Sequence, residues 1–132
     1  MTRSTIDVAT RYLPALLLCV GIFLVSSMPK PPIPEVLVFW NSDKLLHAAA
    51  YCLFAVLVLV GAVARAGGVT RGARIEAALF AVGYGVTDEL HQSIVPGRTM
   101  SVLDLTADTI GALLGAFVVG NLVLRAWRRA AG

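Results

Sequence analysis

The chain has 132 residues, of which 58% are hydrophobic and 14% charged, a net charge of +3 at neutral pH and a mean hydropathy of +0.80. That leaves too little charge to cover a water-facing surface, so an ordinary soluble domain is excluded and a membrane protein is expected. The basic excess comes without a dense basic face or interleaved aromatics, so it reads as membrane topology and not as nucleic-acid binding.

Residues 1–11 are polar and include Arg3 and Arg11; the apolar run 12–28 that follows is broken only by Pro14 near its start, where proline is tolerated. A signal peptide also begins this way, but SSMPKPPIP offers no small-x-small cleavage site and further hydrophobic runs follow. The run is therefore expected to be a first transmembrane helix. Residues 29–42 hold four of the six prolines and cannot be helical throughout. Their apolar tail, 36–40, suggests a strip at the membrane interface anchored by Trp40.

Residues 45–64 contain no Asp, Glu, Lys or Arg. At about 1.5 Å per residue this second span is long enough to cross a hydrocarbon core of about 30 Å. Its start, DKLLHAAAY, spaces Asp43, His47 and Tyr51 at i, i+4 and i+8, which puts all three on one helix face. Asp43 suits an N-cap position, and Lys44 a snorkelling site at the interface. A Gly- and Arg-rich link, 65–74, leads to a third span over 75–94 whose uncharged centre, 77–87, is only 11 residues long. So short a centre makes sense if the end carrying Asp88, Glu89, His91 and Gln92 faces other helices or water. His91 falls one residue off the face shared by Asp88 and Gln92 and is expected at the rim.

Pro96 and Gly97 suit positions i+1 and i+2 of a type II turn, which would present Arg98. The last span, 102–124, begins after Ser101, a candidate N-cap that forms a capping box with Asp104. Asp104, Asp108, Gly111 and Gly115 are spaced 4, 3 and 4, the seam of a packed helix. Gly111 and Gly115 also make a GxxxG, which lets a neighbouring backbone approach closely. Cys19 and Cys52 sit in apolar runs as small inert hydrophobes, with no partner at disulfide or zinc-ligand spacing.

The expected fold is an all-α integral membrane four-helix bundle, one domain over residues 1–132. Four spans place both termini and the central link on one side, where eight of the 11 Lys and Arg residues fall, against Lys30, Lys44 and Arg98 on the other. This bias puts both termini in the cytoplasm. The starts of spans two and four and the end of span three then meet at the outer leaflet.

Three segments thus bring Asp43, Lys44, His47 and Tyr51, then Asp88, Glu89, His91, Gln92 and Arg98, then Ser101, Asp104 and Asp108 to one depth on one side. Ionisable groups in or beside hydrocarbon are expensive, and such a concentration is a site hypothesis. Asp108 is the hardest to explain blandly, lying nearly two turns into its span on the packed face. It must pair with Arg98, Lys44 or His47, be protonated, or stand beside a cation.

Glu89 and His47 are candidate acid and base, and Arg98 and Lys44 candidate holders of an anionic group such as phosphate. The remaining polar residues would line the site. His47 with Asp, Glu and possibly His91 is also a nitrogen and oxygen set of the kind that holds zinc or manganese, although no spacing such as HExxH is present. Nucleophilic catalysis by Ser101 with His47 lacks a GxSxG elbow. The alternative to a site is a polar lock that holds the helices in register. Ion transport is disfavoured, because no chain of ionisable groups crosses the membrane.

In DKLLHAAAY and DELHQSIVPGRTMSVLDLTADTIGALLG, with their run of hydrophobic spans, the chain resembles the VanZ-like family of small bacterial membrane proteins, named for a teicoplanin (glycopeptide) resistance determinant. Where many members have Asn, this sequence has Asp108, which adds a potential charge. The resemblance implies a multi-pass protein of the bacterial plasma membrane with a link to envelope-targeting antibiotics. The partners it implies are membrane lipid and a lipid-linked or phosphate-bearing envelope component; it specifies no cofactor and no reaction.

Overall fold

The computed structural model describes residues 3–31 and 42–130, and all regular structure among them is helical. Four helices follow one another: α1 (Arg3–Ser26), α2 (Ser42–Ala66), α3 (Arg71–Gln92) and α4 (Val102–Ala130). The proposed interfacial strip and its Trp40 anchor lie outside the described residues.

The helix ends follow local chemistry. Gly67 adopts φ +71°, and the Gly68 N–H reaches back to the Val63 carbonyl at 3.1 Å, the Schellman closure of α2. The Thr70 hydroxyl then caps α3 by accepting from Ala73 N at 3.0 Å. Between α3 and α4 the type II turn forms as expected, with Gly97 at φ +81° and Arg98 N donating to Val95 O at 3.1 Å.

Several boundaries differ from expectation. α1 begins at Arg3, so Pro14 stands about three turns inside the helix and not in its first turn. α2 begins at Ser42, which places Asp43 inside the first turn and not at the cap. α4 runs on to Ala130 through a π-helical segment, Gly115–Val119, in which Gly120 N bonds to Gly115 O. The extra residue of the π turn falls where α4 lies against Cys52, Ala55 and Leu59 of α2.

α2 is the central element and packs against each of the other three, most extensively against α4. Small residues make this possible. A Cβ at Gly111 would strike the carbonyl of Ala48 and one at Gly115 that of Cys52, so the GxxxG lies directly on the α2 backbone. Ala55, Leu59 and Ala62 of α2, Ala77 and Ala81 of α3, and Ala112 and Ala116 of α4 complete the core.

Three helices, α1, α2 and α4, are long and apolar enough to cross a membrane. The expected third span is a full helix of 22 residues, but its carboxylates and arginines lower its mean hydropathy below that of a spanning segment. Its outward side is nonetheless apolar, with Leu79, Phe80 and Leu90 exposed, while Asp88, Glu89 and Gln92 are buried against the other helices. α1 is the least buried helix and presents Leu13, Leu16, Leu17 and Leu24 outward, as a lipid-facing helix does.

Candidate functional site

The start of α2, the end of α3, the turn around Gly97 and the start of α4 meet at one end of the molecule. On α2, Lys44 Nζ forms ion pairs with Asp43 at 2.6 Å and Asp104 at 2.5 Å. One turn on, His47 Nδ1 meets Asp108 Oδ1 at 2.9 Å, so of the three partners open to Asp108 the structure selects His47. These two contacts repeat the spacing of Asp104 and Asp108 along α4, and Gly111 and Gly115 continue the same seam onto Ala48 and Cys52. The seam read from the 4, 3, 4 spacing is the α2–α4 interface.

Ser101 is the N-cap, its hydroxyl accepting from Asp104 N at 3.2 Å. The second half of the expected capping box differs. The Ser101 N–H donates to Glu89 Oε2 of α3 at 2.7 Å, while the Asp104 side chain turns to Lys44. A carboxylate from another helix thus completes the cap, which frees Asp104 for the site.

Asp88 looks the other way, towards α1. One of its oxygens accepts from the Ser26 hydroxyl, and the other accepts from Gln92 Nε2 at 3.0 Å. Gln92 in turn accepts from the Arg98 guanidinium at 2.5 Å. His91 also meets α1: its Nε2 lies 3.0 Å from Ser27 Oγ and its ring centroid 4.7 Å from that of Phe23. It is a helix-packing group, not a rim group, and it does not join His47. Nothing in the sequence flagged Ser26, because its role depends on α1 passing beside the end of α3.

The Tyr51 hydroxyl, buried at 1% exposure, has no hydrogen-bond partner of good geometry among the described residues and feels the carboxyls of Asp88 and Asp108. Two carboxylate oxygens share this condition, Glu89 Oε1 and Asp108 Oδ2, on side chains of 0% exposure. Buried polar atoms are normally paired, so orphans on two neighbouring carboxylates call for an explanation. His47, Glu89 and Asp104 each direct one donor atom into a common space, all within 4.8 Å of one another.

Above this cluster lies a cavity of about 690 Å³. One wall is apolar and comes from α1, with Leu18, Gly21, Ile22 and Val25. The other is polar, with Asp43, Lys44, His47, Gln92, Arg98 and Asp104, and Tyr51, Asp88 and Ser101 also reach it. Glu89 and Asp108 do not line it; they sit behind its polar wall. Every residue expected at the site is therefore either on this wall or in direct contact with it.

Among curated proteins and among solved structures no match is found. The family model described as VanZ/LLP1 matches residues 12–124, a stretch that includes both motifs, all of the cavity's described lining residues and the α2–α4 seam, and the protein is a member of that VanZ-like family.

Proposed function

We propose that this VanZ-type membrane protein uses the cavity to bind the anionic head group of a lipid or lipid-linked envelope component at the outer leaflet of the bacterial plasma membrane. The carrying observation is the pair of unlike walls. An amphiphile with a phosphate head needs an apolar surface for its first methylenes and fixed cations for its head. Leu18, Ile22 and Val25 supply the first and Arg98 the second, with Lys44 on the same wall but engaged by Asp43 and Asp104. The volume suits a small-molecule site, and Arg98 keeps guanidinium donors beyond the one given to Gln92. The outward orientation rests on the Lys and Arg bias. A role in glycopeptide resistance would follow from sequestering or presenting such a component.

Glu89 and His47 are close enough to share one ligand, but Glu89 is wholly buried behind the cavity wall. We therefore give the cavity a binding role and not proton transfer between an acid and a base. The test is titration of the purified protein in nanodiscs with a polyprenyl phosphate and with the matching uncharged polyprenol. The phosphate should bind at least about tenfold more tightly, the worth of one charge-assisted hydrogen bond, and Arg98→Ala should remove that margin. Equal binding of the two probes defeats the reading.

A second reading, a polar lock between helices, is favoured by the contacts themselves, since Ser26–Asp88, His47–Asp108, Lys44–Asp104 and Glu89–Ser101 each join different elements. Against it stand the orphan oxygens of Glu89 and Asp108, because a lock is stable only when its members are satisfied. Arg98→Ala, a change on the cavity wall outside these four contacts, separates the two. A site variant loses ligand binding or glycopeptide tolerance while keeping its thermal stability; a lock variant loses both together.

A further inference from the structure

We propose that His47, Glu89 and Asp104 form a site for one divalent transition-metal ion, zinc or manganese, at the floor of the cavity. Their donor atoms lie within 4.8 Å of one another, and ligands around such an ion are about 3–4 Å apart, so modest side-chain rotation closes the site. The set of one imidazole and two carboxylates suits these two metals.

Each ligand is held by a partner that leaves one donor atom over. Asp108 Oδ1 accepts a hydrogen bond from His47 Nδ1–H at 2.9 Å, which fixes the tautomer and leaves the Nε2 lone pair free, as carboxylates do behind metal-bound histidines. Ser101 N–H holds Glu89 Oε2 at 2.7 Å, leaving Oε1 fully buried and without a partner among the described residues. Lys44 steadies Asp104 from the side of Asp43.

Lys44 does not do the ion's work. Its ammonium is engaged by Asp43 and Asp104, and Glu89 Oε1 remains orphaned. A buried carboxylate with an orphaned oxygen, close to an imidazole and a second carboxylate, is the condition that a bound cation relieves. Three protein ligands leave a coordination position open. Because His47 and Asp104 line the cavity, that position faces whatever enters it. The inference stands on ligand geometry and not on the identity of the cavity's occupant.

The experiment uses the full-length protein in uncharged detergent, without anionic lipid, stripped with a chelator and reloaded separately with zinc and with manganese. One equivalent of one of the two ions per chain should survive gel filtration. Glu89→Gln and Asp104→Asn should each weaken retention by at least about tenfold, and Glu76→Gln, whose carboxylate is engaged by Tyr12 and Arg65 away from the cavity, should leave it in place. In the unmutated protein, zinc should shift the ring-nitrogen resonances of His47 and spare those of His91, which packs on α1; this readout needs no variant to fold. Retention of neither ion, retention unchanged in both ligand variants, or equal shifts of the two histidines overturns the proposal. Metal binding that succeeds while the polyprenyl phosphate fails to bind separates this site from the cavity's proposed function.

Discussion

Gly111→Ala tests the α2–α4 seam on which the site is built. An added Cβ would stand 2.8 Å from the Ala48 carbonyl carbon and 2.9 Å from its Cα. The Ala48 carbonyl oxygen would be nearer still, and relaxed carbon contacts are about 3.5–4.0 Å, so α4 must retreat by about 0.6–1.2 Å. Overpacking of this kind costs about 1–3 kcal/mol, and removing a helix-interior glycine returns about 0.5–1 kcal/mol. The expected net loss is about 0.5–2 kcal/mol, read as a lowered unfolding midpoint in detergent. Asp108 lies one turn before Gly111, so the same retreat should loosen its 2.9 Å contact with His47. Gly83→Ala is the matched control: none of the described residues lies within 4 Å of its added Cβ, so it should be neutral or stabilising. A Gly111→Ala protein as stable as the unmutated one refutes the close approach of the two backbones, and with it the register that aligns Lys44 with Asp104.

Three further outcomes follow from named contacts. His47→Ala strips a fully buried carboxylate of its partner and should cost about 3–5 kcal/mol; adding Asp108→Ala should recover part of that loss, and strict additivity of the two in a double-mutant cycle would contradict the pairing. Ser26→Ala removes the hydroxyl that joins α1 to Asp88 and should destabilise by about 1–3 kcal/mol in a thermal melt, with no change meaning that α1 is not docked there. For orientation, in a protein with Cys19 and Cys52 replaced by Ala, a cysteine at the exposed Met100 should react with an impermeant maleimide on intact cells and one at the exposed Gly72 only after permeabilisation. The reverse pattern would turn the site to the cytoplasm.

Much of this protein was legible without a structure because its information is local. Helix content follows from apolar runs whose length matches a membrane, and the turn at Pro96 and Gly97 from the φ that only glycine takes cheaply. The inward face of α4 follows from a spacing of 4, 3 and 4, since a helix repeats every 3.6 residues whatever surrounds it. Local reasoning erred where ends are set by neighbours: Pro14 reads as an early-turn proline only until the helix is seen to begin at Arg3, and α3 could not be measured as a span while its carboxylates' surroundings were unknown.

Which groups meet was decided by tertiary structure alone. Asp104 could have closed a capping box with Ser101, but Glu89, twelve residues away in sequence, takes that N–H and releases Asp104 to Lys44. The sequence left His91 open as a possible second histidine ligand beside His47, yet the two belong to different helices and meet different partners, His91 turned to α1 and His47 to α4. The physical reason is that a helical repeat fixes a residue's direction around its own axis, whereas the rotation and register of one helix against another come from packing, here from Gly111 and Gly115 on the backbone of α2.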